Sequence, residues 1–185
     1  MCAIEVTPKV LGEITPVIAT ERLILRGPVP GDETPIAKLA SDINVAGQTA
    51  CMPHPYSEAD AEAAVARAMR LDWGREASFA IEHRNFGVVG MLGFKTGALG
   101  RPELGYWIGR PYWNRGYATE AVRGALKWVT RDWRRRLVTA GHFADNLASG
   151  QVLCKAGFLY TGDVELKRSR ARGREVPTRM MVWLA

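Results

Sequence analysis

Between Ala118 and Val129 the apolar positions recur at helical spacing. Ala118, Ala121, Val122, Ala125, Leu126 and Val129 stand at offsets 0, 3, 4, 7, 8 and 11. This period puts them on one face and predicts an amphipathic helix opening near Gly116. On either side the pattern changes to short apolar runs. Residues 103–108 (Glu-Leu-Gly-Tyr-Trp-Ile) and 137–143 (Leu-Val-Thr-Ala-Gly-His-Phe) read as strands. A strand, a helix and a strand in succession imply a parallel pair joined by a crossover.

The rest of the chain follows the same logic. Residues 21–26 alternate in part and read as a strand, broken by Gly27-Pro28-Val29-Pro30-Gly31. Asp32 is placed to cap a short helix through Ala40, with Pro35 in its first turn. Ser57-Glu58-Ala59-Asp60 has the form of a capping box with Asp in place of Glu, opening an Ala-rich helix to about Trp73. The two prolines of residues 49–56 fit a substrate entrance and a plain connector equally well. Residues 78–82 and 88–94 read as strands around Asn85-Phe86-Gly87. A helix at 147–156 ends at Gly157, and strands at 158–166 and 177–184 flank an arginine-rich turn. The expected fold is therefore α+β, with α/β-type layering. Its sheet is mixed and mostly antiparallel, with about seven strands, four helices and one central parallel pair. Residues 1–20 read as an N-terminal extension and residues 21–185 as a single domain.

Composition narrows the function. With 185 residues, 47% of them hydrophobic, the chain can bury one sizeable core. No apolar run approaches the roughly 18 residues of a membrane span. Glu5, Lys9 and Glu13 interrupt the first 20 residues, so no secretory leader is read and a cytoplasmic location is expected. Cys2, Cys51 and Cys154 are few, odd in number and far apart. They make no metal-ligand spacing with His54, His83 or His142, so reduced thiols and no metal are expected. The net charge is +6. Its clusters, Arg131 with Arg134, Arg135 and Arg136, and Lys167 with Arg168, Arg170, Arg172 and Arg174, lack interleaved aromatics. They read as solvated surface rather than as a nucleic-acid platform.

The loop between strand 103–108 and the long helix carries candidate chemistry. A helix start presents unpaired N–H groups and partial positive charge, which suit a diphosphate. Gly116 lets phosphate oxygens approach the main chain, and Ala118 keeps the next turn small. Arg115 adds a cation, and Thr119 a hydroxyl. Alone, the pattern also fits a plain turn. It is neither a Walker A loop nor a Rossmann fingerprint, because the required glycine spacings are absent.

The wider motif is more specific. Residues 103–108, followed by Pro111-Tyr112-Trp113-Asn114-Arg115-Gly116-Tyr117-Ala118-Thr119-Glu120-Ala121, resemble the cofactor motif of the GNAT superfamily of N-acetyltransferases. Asn146-Leu147-Ala148-Ser149, with Lys155-Ala156-Gly157-Phe158, resembles the second motif of the subgroup of ribosomal-protein N-terminal (alanine/serine) acetyltransferases. The resemblance covers nearly all of the chain after residue 20. It implies a GNAT-type sheet with helices on both faces and a parallel pair that splays to admit the pantetheine arm. It further implies acetyl-CoA as co-substrate, no metal, and direct transfer to a primary amine, foremost a protein N-terminal α-amine. A small-molecule amine (polyamine, aminoglycoside or amino-acid-like) and a non-catalytic acyl-CoA-binding domain are the alternatives. A monomer or a homodimer fits equally. The cofactor positions implied are Trp107, Ile108, Gly109, Asn114, Arg115, Gly116, Tyr117, Ala118, Thr119, Asn146 and Ser149.

The same resemblance implies two catalytic roles. Glu103 is the candidate base, acting through water; a surface strand position is the alternative. Ser149 is the candidate donor to the departing thiolate; a helix-start serine is the alternative. Asn146 suits binding of the pantetheine arm, a helix cap, or both. Tyr106 and Tyr112 could offer hydroxyls but read first as packing. Two positions depart from the superfamily pattern. Trp113 stands where Arg or Gln usually opens the pyrophosphate signature. Leu153 stands where many members have a tyrosine general acid.

Overall fold

A computed structural model describes residues 15–185. Readings that fall on residues 1–14, Cys2 among them, lie outside the described residues. The described elements are β1 (Ile18–Ala19), β2 (Leu23–Arg26), α1 (Glu33–Ala40), α2 (Ile43–Ala46), α3 (Glu58–Ala68), β3 (Ala77–His83), β4 (Gly87–Thr96), β5 (Pro102–Ile108), α4 (Tyr117–Arg131), β6 (Leu137–Phe143), α5 (Leu147–Lys155), β7 (Leu159–Ser169) and β8 (Arg174–Leu184). One eight-stranded sheet has the order β1-β2-β3-β4-β5-β6-β8-β7. All neighbours pair antiparallel except β5 and β6, which pair parallel. The fold class is the one expected. The two elements beyond the expected seven strands and four helices, β1 and α2, have only two and four residues, too few to show a period.

The layers follow from side-chain alternation. Phe79 and Ile81 face one side of β3 and join the buried face of α4, formed by Ala121, Val122, Ala125, Leu126 and Val129. Ala80 faces the other side and packs with Ile36 of α1 and Ala61 and Val65 of α3. The sheet thus lies between α1–α3 and α4–α5. Leucines and valines buried this completely contribute about 1.5–3 kcal/mol each.

Two helix ends differ from the sequence reading. Asp32 sits at the N-cap of α1, but its side chain accepts no hydrogen bond from that helix. Its carboxylate takes Arg26 Nη1 and Nη2 at 2.7 and 2.9 Å and the Val29 N–H at 2.9 Å, so it fastens β2 to the following turn. Helix α3 stops at Ala68, short of the expected Trp73. The Asp72 side chain turns the chain by accepting the Gly74 N–H at 2.9 Å. Trp73 then packs edge-on against Phe79 and Trp128, at 5.2 and 6.5 Å between ring centroids. The capping box of Ser57 and Asp60 is complete. Helix α5 closes as its glycine implies. Gly157 adopts φ +98°, its N–H reaches the Cys154 carbonyl, and the Phe158 N–H reaches the Leu153 carbonyl.

Gly150 lies where α5 presses on the sheet. A Cβ there would stand 2.8 Å from both His142 Nε2 and the Tyr160 hydroxyl oxygen. These atoms are themselves 3.0 Å apart. His142 Nδ1 faces the Phe143 carbonyl at 2.8 Å, so Nδ1 carries the hydrogen and Nε2 accepts from Tyr160. Gly150→Ala should therefore destabilise the fold by about 1 kcal/mol, despite alanine's better helix propensity. Urea denaturation measures this, and the penalty should shrink in a Tyr160→Phe background.

Candidate functional site

The parallel pair is the unusual seam of the sheet. Strands β5 and β6 are in register only at Glu103–Thr139 and Leu104–Ala140. Both strands continue, to Ile108 and Phe143, without pairing to each other. On its other edge β5 stays paired to β4 through Ile108. The Gly109 N–H goes to the Val89 carbonyl at 2.8 Å. Main-chain direction alternates along a strand, so Trp107 points its peptide groups toward β4, and Tyr106 and Ile108 point theirs into the gap. The Ile108 carbonyl accepts the Trp113 indole N–H at 2.6 Å.

The loop from β5 to α4 closes the mouth of this gap. Asn114 has φ +60° and Gly116 φ +80°, and α4 begins at Tyr117. The helix's own first-turn N–H groups point back at the loop, and among the described residues only that of Glu120 is taken, by the Gly116 carbonyl. A side chain at position 116 would be strained by its φ. Arg115, Asn114 and Gly116 are exposed, and Ala118 and Thr119 are half-buried. These features fit a bound diphosphate, with the N–H groups of Tyr117, Ala118 and Thr119 as its holders. Gly109 sits close against α1. Its φ of −59° is open to any residue, but a Cβ would stand 2.6 Å from Leu39 Cδ2.

Arg22 braces the loop, and the sequence reading missed it. Its guanidinium donates to the Arg115 carbonyl at 3.0 Å, pairs with Glu120 Oε2 at 2.7 Å and lies 4.7 Å over the Tyr117 ring. Glu120 also accepts from the Arg22 N–H and the Thr20 hydroxyl, both at 2.7 Å. Burial pushes the Glu120 carboxyl up, but the hydrogen bonds from Thr20 and Arg22 outweigh it and hold it below its ordinary range. No motif marks Arg22, because it lies 93 residues from Arg115, in the bend just before β2.

Helix α5 supplies the other wall. Asn146 caps it by accepting the Ser149 N–H at 3.1 Å. The Tyr106 hydroxyl crosses from β5 to Ser149, 2.9 Å from Oγ and 3.1 Å from the carbonyl oxygen. Burial pushes the Tyr106 phenol well above its ordinary pKa, further than the bond to Ser149 lowers it. Tyr106 therefore stays protonated and is more than packing. Leu153 is buried in the core and offers no hydroxyl. Tyr112 packs near Phe86, at 5.8 Å between centroids.

Glu103 is the first of the two β5 positions paired to β6, on the opposite face of β5 from Tyr106. Lys167 Nζ is 2.9 Å from its Oε1, and Lys95 Nζ 3.5 Å. Burial raises its carboxyl, but the hydrogen bond from Lys167 and the charges of both lysines outweigh this and leave it lowered. On the same face Trp107 packs against Val45, Ala46 and Met52. The β7–β8 turn folds onto this region. Ser169 and Arg170 bond the main chain of residues 49–51. Arg172 donates to the Gly47 carbonyl at 2.5 Å, meets Asp145 at 2.5 and 3.2 Å, and lies 4.9 Å over Phe143. The first part of loop 49–56, read from sequence as entrance or connector, is therefore pinned at residues 49–51 to the turn that follows β7. Among the described residues no three His, Cys, Asp or Glu side chains stand close enough to hold a metal ion. No helix among them is long and apolar enough to cross a membrane.

Residues 22–159 match the acetyltransferase (GNAT) domain family. A probable N-acetyltransferase of Bacillus subtilis strain 168, YjcK, is 32% identical over 93 residues, 48% of this chain. The matched stretch spans about half (51%) of that curated relative's length. Among solved structures, the ribosomal-protein α-N-acetyltransferase RimL in complex with coenzyme A superposes with a TM-score of 0.79 at 18% identity, over 91% of this chain and 98% of that one. Spermidine N-acetyltransferase from Vibrio cholerae, in complex with CoA and spermine, superposes at 0.73 and 19% identity, over 88% and 95%.

The brace on the loop has a pH signature. A carboxyl lowered on folding stabilises above its unfolded pKa, and that contribution is lost as pH falls through the folded value. Melting temperatures measured between pH 7 and pH 3 should fall less steeply below about pH 4.5 for Glu120→Gln than for the parent protein. Equal slopes would remove Glu120 from the acid sensitivity of the loop.

Proposed function

Because this chain belongs to the GNAT acetyltransferase family, we propose that it moves the acetyl group of acetyl-CoA directly to a primary amine, foremost a protein N-terminal α-amine. The observation that carries this reading is the gap itself: two parallel strands that separate after Leu104–Ala140, with a first-turn N–H cluster at the mouth and Ser149 on the wall. Main-chain groups of Ile108 would hold the pantetheine arm, and the N–H groups of Tyr117, Ala118 and Thr119 the pyrophosphate. Trp113 leaves that role to the main chain and instead ties the loop to the end of β5. Acetyl-CoA supplies an activated thioester. The chain's own residues orient the acceptor and move protons.

Glu103 is ionised at neutral pH and lies on the face of β5 toward α1–α3. Its lowered pKa makes it a weak base. It suits holding an incoming ammonium and passing the proton to water more than abstracting it outright. An α-amine, with its pKa near 7.7–8.0, needs less help than a lysine near 10.4. Ser149 donates toward the sulfur. Tyr106 lies within hydrogen-bond distance of both its Oγ and its carbonyl oxygen and holds the serine against the gap. The tyrosine and serine together take the place of the tyrosine acid missing at Leu153. A cytoplasmic location and action as a monomer or homodimer belong to the same reading.

Steady-state kinetics with acetyl-CoA and a panel of amines test it. Glu103→Gln and Ser149→Ala should each lower kcat by about tenfold or more, with the KM for acetyl-CoA changed less than about threefold. Unchanged turnover in both would overturn the assigned roles. Tyr106→Phe should lower kcat in the parent protein and add little in a Ser149→Ala background, because the two act as a pair.

A further inference from the structure

Beside Glu103 an amine is already seated. Lys167 reaches across from the edge strand β7 and places its ammonium 2.9 Å from the carboxylate, with only 22% of its side chain exposed. Lys95 approaches from β4 at 3.5 Å, and its side chain is 64% exposed. One carboxylate thus serves two cations. A second anion stands nearby: Glu165 Oε2 is 3.7 Å from the same Lys167 ammonium, on a side chain 53% exposed. Lys167 and Glu165 are two residues apart on β7 and share a face, opposite the buried Val176 and Thr178 of β8.

We propose that Lys167 is the resident cation that an acceptor amine displaces from Glu103. The displaced ammonium moves to Glu165, and this exchange sets the substrate class. The inference rests on the reading of Glu103 as the acceptor-side carboxylate. Before exchange, Lys167 is matched by Glu103. After exchange, Glu103 faces the substrate amine and Lys95. Any second positive charge on the substrate then meets Lys95, the displaced Lys167 and the β7–β8 turn. Arg170 and Arg172 lie in that turn and Arg174 opens β8, and Arg172 pairs with Asp145. Like charges a few ångströms apart repel, and in a partly desolvated cleft they do so more than in water. The site therefore accepts an amine whose neighbours are neutral or anionic, such as the N-terminus of an acid-rich peptide. It disfavours a polyamine, which brings two or more ammonium groups at once.

The exchange makes Lys167 a specificity-determining residue with a readout that a structural role would not move. Thiol release from acetyl-CoA is followed with two acceptors, an acid-rich peptide with a free N-terminus and spermidine. The parent protein should use the peptide with the higher kcat/KM. Lys167→Met should lower the peptide KM by about fivefold, the value of one partly exposed ion pair, and should improve spermidine by a larger factor. Lys167→Arg keeps the charge and should keep the discrimination. Glu165→Gln removes the second seat from an exposed position and should raise the peptide KM. Spermidine preferred by the parent protein, or a peptide KM unmoved by both Lys167→Met and Glu165→Gln, overturns the inference. Unchanged turnover in Glu103→Gln instead overturns the reading beneath it, so the two failures are separate.

Discussion

The structure is organised by a failure of hydrogen bonding. Strands β5 and β6 share two register positions and then part, although each continues as a strand. A parallel pair needs a crossover, and here the crossover is α4. The helix must start at the C-terminal end of β5, which is the wide end of the gap. Its unpaired N–H groups are therefore delivered to the mouth by topology alone. Everything near the opening maintains this arrangement. Trp113 ties the loop to Ile108, Arg22 ties it to β2 and α4, and Tyr106 spans from β5 to Ser149. The two strands are held apart at one end and together at the other.

Charge divides the two faces of β5. On the α4–α5 side the polar groups are neutral and half-buried: a phenol, a serine and an asparagine cap. On the α1–α3 side they are ionised and partly wet: Glu103, Lys95 and Lys167. A neutral donor set suits a departing sulfur anion, because it stabilises charge that was absent before reaction. An ionised carboxylate suits an arriving ammonium. Side-chain alternation along one strand delivers both environments within four residues, Glu103 and Tyr106 pointing opposite ways.

Much of this was legible in the sequence where a local rule governs. The α4 stripe, the Ser57–Asp60 box and the Gly157 stop all depend on residues within a turn or two of one another, and the structure has them as read. What the sequence concealed is long-range. Arg22 acts on residues more than ninety positions away, and Lys167 on Glu103 across 64. Asp32 has the composition of a cap, but a cation at 26 offered its carboxylate a stronger partner than the helix did. Trp113 departs from the motif, and only the fold reveals its hydrogen bond. Tyr106 read as packing because nothing local distinguishes a core tyrosine from one whose hydroxyl meets a serine 43 residues on.

The contacts of Arg172 have a consequence for how this protein can change. One guanidinium satisfies Gly47, Gln48 and Asp145 and covers Phe143. Loop 47–52, the approach to α5 and the hairpin tip are thereby joined through one side chain. None of the three can drift through mutation alone. Loss of Asp145 would leave a largely buried cation unmatched, and loss of Arg172 would release the other two segments together. Variation at positions 145 and 172 should be inherited as a pair.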